Sequence, residues 1–257
     1  MRAVEHSRYM IERHVLSLLR QPWLIIITLL QPMAWLLLFG ALFQRIVELP
    51  GFAAESYIEF LTPGVVVMTA LMSSAWSGMQ VIEDIDRGVL DRLLISPVHR
   101  GSLIIGRAAY QAGMVIIQSL IIIALGLALG ARYPGGIIGI TILVLGAVLV
   151  GIAFGGLSNA LGITLRRGQV VVTAVNVLVL PLTFMASAFM PRNLMPEWMQ
   201  TATLINPVDW AVEASRQALG AATDWEVVAT RSAYLLAFAI VCSWLATYTF
   251  RSYQSSV

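Results

Sequence analysis

Side chains able to do acid–base or ionic chemistry are sparse in this chain, and their densest group is Glu83 to Arg100, EDIDRGVLDRLLISPVHR. Six of its first ten residues are charged: Glu83, Asp84, Asp86, Arg87, Asp91 and Arg92. Ile85, Val89 and Leu93 recur every four residues with Leu90 and Leu94 on the flanking side, so the spacing predicts an amphipathic helix that stops at Pro97. A helix lying on a membrane surface normally carries an excess of Lys and Arg on its polar face. Four acids against two Arg point instead to a protein partner; the plainer alternative is a solvated connector.

Catalysis by this chain itself is not expected. An intramembrane enzyme needs a nucleophile with its base, paired carboxylates or a metal cluster, and neither H-E-x-x-H nor G-x-S-x-G occurs. His6, His14 and His99 all fall outside the apolar runs, and no third ligand stands near His6 and His14 to hold a metal. Cys242 is alone, which rules out an intrachain disulfide and a Cys-based metal site; its plain role is that of a small hydrophobe. All 16 basic residues are Arg. The P-loop route to ATP hydrolysis requires that motif's Lys, so any ATP that drives this chain is bound by another polypeptide.

These groups are set in a strongly apolar chain of 257 residues, 58% hydrophobic and 12% charged, against roughly 25% charged in an ordinary soluble domain. A bilayer-spanning helix needs about 20 mainly apolar residues, and six such runs stand at 23–43, 60–82, 103–129, 136–163, 170–190 and 231–250. The sequence therefore predicts an all-α polytopic membrane protein, residues 1–257 forming one transmembrane domain. No cleavable signal peptide is expected, because the first run begins after 22 mixed residues and exceeds an h-region.

Cytoplasmic segments retain positive charge. With the N-terminus inside, the inner segments hold eleven Arg and the outer ones five, which predicts cytoplasmic termini. Before the first run, Val4, Met10, Ile11, Val15, Leu18 and Leu19 alternate with charges at near-helical spacing, as in an amphipathic helix on the inner membrane surface. The deeper polar residues, Gln118, Asn159 and Asn176, are uncharged, so a proton- or ion-driven carrier lacks its usual ionisable machinery.

Residues 131–136, ARYPGG, allow only a tight outer turn between spans three and four, which should pack as an antiparallel hairpin. Gly126 with Gly130, and Gly151 with Gly155, have the spacing that lets spans approach closely. Residues 191–228 hold two short helical patterns before the last span. Asn206 suits an N-cap, Pro207 the first helical position and Asp209 the first turn. Trp198, Trp210 and Trp225 are boundary aromatics. A re-entrant helix pair is expected here, with Glu213 and Arg216 placed to pair at i, i+3.

The pattern of Glu83, Gly88, Leu90, Leu93, Pro97 and Arg100, followed by Pro181, Ser187, Pro196, Trp198, Gln200, Asn206, Pro207 and Arg216, resembles the membrane subunits of type-2 ABC exporters. That class contains daunorubicin-resistance permeases and exporters of polysaccharides and nodulation factors, and the resemblance covers nearly the whole chain. It implies a dimer of six-span subunits, each docked on a separately encoded cytoplasmic ATPase that holds ATP and Mg. It also makes the helix at residues 84–96 the coupling helix, and the N-terminal surface helix a second contact. The chain departs from many relatives at Met185–Met190, MASAFM, where a Ser-Gly pair followed by aromatics is common. The cofactors are then on the partner, the membrane is the plasma (inner) membrane, and no nucleic-acid partner is expected.

The resemblance places spans one, two and five along the transport path. Met68, Met72, Trp76, Asn176, Phe184, Met185 and Phe189 are the candidates, flexible Met beside aromatics suiting an adaptable apolar surface. The absence of large soluble additions and of an aromatic-lined carbohydrate module leans toward a hydrophobic drug or lipid-like cargo, and a glycoconjugate is the further cargo class that the resemblance allows. Two alternatives remain open from residues alone: a secondary carrier or channel working without an ATPase, and an intramembrane enzyme.

Overall fold

The computed structural model describes residues 22–48, 52, 54, 56–88, 100–165 and 167–254. Among them the chain is helical throughout: α1 (Pro22–Leu42), α2 (Tyr57–Ala75), α3 (Ser77–Asp86), α4 (Arg100–Ala128), α5 (Gly136–Leu165), α6 (Gly168–Phe184), α7 (Glu197–Leu204), α8 (Pro207–Leu219) and α9 (Trp225–Gln254). Short 3-10 turns stand at Gln44–Glu48 and Arg192–Leu194. The surface helix expected before Pro22, and Val89, Leu90, Asp91, Leu93, Leu94 and Pro97 of the expected coupling helix, lie outside the described residues.

Four stretches are long and apolar enough to cross a bilayer: Tyr57–Asp86, Gly106–Ala128, Gly136–Leu165 and Trp225–Phe250. Ile27–Leu42 and Gly168–Phe184 are shorter apolar helices that stand where the first and fifth spans are expected.

Two expected spans differ in form. The second is not one helix but two, α2 and α3, interrupted at Trp76. Interruption frees backbone groups that lipid cannot satisfy, and α5 supplies the remedy. The Ser158 hydroxyl donates to the Ala75 carbonyl and accepts from the Gly78 amide at 3.0 Å, while the Ser77 hydroxyl donates to the Gly155 carbonyl at 3.2 Å. The fifth span, expected to 190, stops being helical at Phe184, three residues after Pro181, and Met185–Met190 runs on unwound.

Helix α5 is the hub and packs against α9, α8, α2, α4, α3 and α6. Its small residues permit this closeness. A Cβ on Gly78 would lie 2.3 Å from the Ser158 carbonyl oxygen, and one on Gly139 would lie 2.4 Å from that of Ala218. Of the two expected glycine pairs, Gly126 and Gly151 do face tight contacts, with Tyr133 and Val115 respectively. Gly130 does not: a Cβ added there would meet nothing within 4 Å, and its φ of +92° shows that it serves the turn. Helices α4 and α5 form the expected hairpin, and its turn is anchored by the Gly135 amide, which donates to the Leu219 carbonyl at 3.0 Å.

Candidate functional site

Charge gathers at two ends of the bundle. At one end, α3 finishes at Asp86, and Gly88 takes a left-handed φ of +64°. A glycine in that conformation ends a helix, so the continuous helix expected from Glu83 toward Pro97 is broken. Glu83, Asp84 and Asp86 are instead the last turn of the span-two helix. Acids at a helix C-terminus oppose the macrodipole, by about 0.3–1 kcal/mol each at the surface. Two Arg offset this in part: Arg87 lies 3.6 Å from Glu83, and Arg107 of α4 pairs with Asp84. Asp86 and Glu83 remain exposed. Ile85, on the apolar side of the same turn, packs on Val81, Ile163 and Phe250, which fixes this end against α5 and α9.

The other end is built around α8. Asn206 serves two helices with one amide group. Its Oδ1 accepts from the Val208 amide at 3.0 Å and caps α8, while its Nδ2 donates to the Leu182 carbonyl at 2.8 Å and satisfies the end of α6. Pro207 then takes the first helical position, as its fixed φ favours. Pro196 precedes α7, whose Gln200 turns back to donate to the Met195 carbonyl at 2.8 Å. Trp198 and Trp225 are exposed, and the half-buried Trp210 donates to the Leu204 carbonyl at 2.7 Å.

The expected Glu213–Arg216 pair is not what forms. Glu213 binds Arg231 of α9 at 2.7 Å and Arg192 at 3.0 Å. Arg216 points elsewhere: its guanidinium lies 3.7 Å from the centre of the Phe60 ring and donates to the carbonyls of Ser187 at 2.8 Å and Phe60 at 3.3 Å. Asp209, with 0% of its surface exposed, accepts from the Ser187 amide at 2.6 Å and pairs with Arg192. Burial works against the Arg192 cation, but Asp209 and Glu213 outweigh it and hold the group above its usual range. Burial dominates at Arg216 and lowers it to about 10 against the same two carboxylates, so it stays charged at neutral pH.

Arg192, Arg231 and the hub role of Asp209 are not evident from local spacing. The only hint is an acid inside an otherwise apolar patch, which must find a cation when buried.

The candidate path residues divide. Met68, Met72 and Trp76 follow at four-residue intervals down α2 to its end, and exposure rises from 2% at Met68 to 43% at Trp76. Met68 thus belongs to the core of this chain. Asn176 and Phe184 are both exposed on α6, two turns apart, while Met185 and Phe189 are half-buried in the unwound stretch. Phe189 joins Phe184 to Trp35 and Phe39 of α1, at ring distances of 6.3, 5.6 and 5.2 Å. An aromatic junction of α1 with the broken end of α6 results, with Tyr57 of α2 donating its hydroxyl to the Phe189 carbonyl at 3.0 Å.

An apolar helical bundle with an acidic end on α3, a break at Trp76 and a short helix pair before the last long helix is that of a polytopic membrane protein. The chain belongs to the ABC-2 type transporter family, whose model matches residues 5–219. It is similar to a transport permease, ycf38, of Cyanophora paradoxa, 32% identical over 80% of this chain and 71% of that one. The daunorubicin resistance ABC transporter permease protein DrrB1 of Streptomyces coeruleorubidus is 33% identical over 77% of this chain and 69% of its own length. The multidrug ABC transporter permease YbhR of Escherichia coli K12 is 27% identical over 63% of this chain and 44% of its own.

Proposed function

We propose that this chain is the permease subunit of an ATP-driven exporter. Two permease copies, identical or paralogous, dock on two cytoplasmic ABC ATPase subunits, which hold ATP and Mg. The cargo is hydrophobic: drug-like, lipid-like or a glycoconjugate. It leaves the cytoplasm by alternating access across the plasma membrane. We read six spans, α1, α2–α3, α4, α5, α6 and α9, with both termini on the cytoplasmic side as the Arg distribution favours, and α7 and α8 as a re-entrant pair dipping into the outer leaflet.

The observation that most supports this is the inner end of α3 in a chain of the ABC-2 family. Its acids stand where the helix macrodipole disfavours them, and Glu83 and Asp86 are exposed and available to a basic partner surface. The drug-resistance names of the relatives favour an apolar cargo. Residues Glu83 to Pro97 are the coupling element, and Val89, Leu90, Leu93 and Leu94 are its apolar residues.

The test is Leu90→Asp and Leu94→Asp in the full chain co-expressed with its ATPase. Both variants are expected to insert normally yet lose transport and stimulated ATP hydrolysis. Normal stimulation in either variant would sink the coupling role of this segment.

A further inference from the structure

The unwound stretch Met185–Met190 is the least expected piece of this structure, because Ala186, Ser187 and Ala188 are non-helical and buried. Irregular backbone at membrane depth is tolerated only where protein or a water-filled cavity satisfies its polar groups. Here protein does so from two elements. Asp209 and Arg216 of α8 take the amide and carbonyl of Ser187, and Tyr57 of α2 takes the carbonyl of Phe189. The backbone of Ala188 also lies against Gly64 of α2, where an added Cβ would stand 2.8 Å from the Ala188 carbonyl oxygen.

The clamp is ionic where an apolar one would hold as well or better. A buried ion pair is a weak route to stability, and replacing it by packed hydrophobes is often neutral or stabilising. Ionic clamps suit a contact that has to release, since the groups can trade partners. Two donors stand ready for such a trade: the Nε groups of Arg192 and Arg216 are buried and have no hydrogen-bond partner among the described residues. Arg192 also faces both Asp209 and Glu213, and Glu213 in turn holds Arg231 of α9. Both acids lie on α8, so a shift of α8 relative to α9 parts Glu213 from Arg231 and leaves Glu213 to Arg192 alone.

We infer that Asp209 and Arg216 are positioning residues of transport: they hold the Ser187 corner closed, fix Phe184 and Phe189 at the outer end of the path, and release the corner when α8 moves. The transport part rests on the exporter reading above, whereas the closure of the corner does not.

The test separates the two. In the full chain with Cys242→Ala, Ser187→Cys introduces a single thiol at the corner, nearly isosteric with the residue it replaces. Labelling by a membrane-impermeant maleimide added outside reports its exposure. Slow labelling is expected in this background, and adding Asp209→Asn or Arg192→Gln is expected to raise the rate at least tenfold. The second variant guards against misfolding, because Glu213 keeps Arg231 and the altered side chain is partly exposed. Unchanged labelling in both variants, folded, overturns the clamp. Faster labelling, with cargo movement falling at least fivefold per ATP hydrolysed, supports the full inference. Faster labelling with transport per ATP unchanged leaves a closed corner and overturns its role in transport. Faster labelling in a protein that transports without any ATPase overturns the exporter reading and leaves the clamp standing.

Discussion

Asn206 shows how far one side chain can carry two helices. Asn206→Ser keeps an oxygen to cap α8 but loses the donor to Leu182, leaving a buried carbonyl unsatisfied at a cost of about 1–3 kcal/mol. Asn206→Ala loses the cap as well, a further cost of roughly 1 kcal/mol. Thermal unfolding of the detergent-solubilised protein should therefore rank wild type above Ser above Ala; equal stability of Ser and Ala would contradict the cap. The sequence made the cap legible, because Asn-Pro followed by Asp is a local signal. It could not make Glu213 legible. Helical spacing offered Arg216 as its partner, whereas burial brought Arg192 and Arg231 to it from outside the helix. Charge pairing follows desolvated space, and only folding defines that space.

At the scale of elements, the contact of α3 with α5 is set by missing side chains. Gly78→Ala would drive a methyl to within 2.3 Å of the Ser158 carbonyl oxygen, and Gly162→Ala to within 2.6 Å of that of Gly78. Either should separate the two helices and lower the melting temperature, since backbone cannot yield as a side chain can. Gly155→Ala meets nothing closer than 3.6 Å and should be neutral or mildly stabilising. If all three behave alike, the close approach is wrong. The Asp84–Arg107 pair joins the same α3 to α4 across a partly exposed site. A double-mutant cycle on Asp84→Ala and Arg107→Ala should return a stability coupling below about 1 kcal/mol, and a several-fold larger effect on ATP-coupled transport than on stability. Apolar runs marked the four stretches long enough to cross a bilayer, with ends matched to about six residues or better. They did not mark the break at Trp76, because hydropathy is blind to a helix interruption that a neighbouring Ser repairs, nor the end of α3 at Gly88, where a small residue looked compatible with a continuous amphipathic turn.

Taken whole, the molecule is a bundle around α5 that exposes broad apolar surface along α1, α4, α6 and α9 and confines charge to its two ends. Such a shape suits movement of one end in response to the other. The exposed acids at the end of α3 and the ionic clamp around α8 are joined through α2–α3, which reaches both, and through α5, which packs against both parts. The family and its membrane character could be read from the sequence, because spacing of apolar runs and two short motifs suffice for them. The long-range joints could not, because each depends on residues far apart in the chain. The central claim is that energy for transport enters from a separate ATPase. The most direct measurement reconstitutes the purified full chain in liposomes, with and without its ATPase subunit, and follows a fluorescent anthracycline under ATP and under a proton or sodium gradient. Movement only with the ATPase and hydrolysable ATP is the predicted result; movement by this chain alone under an ion gradient would contradict it.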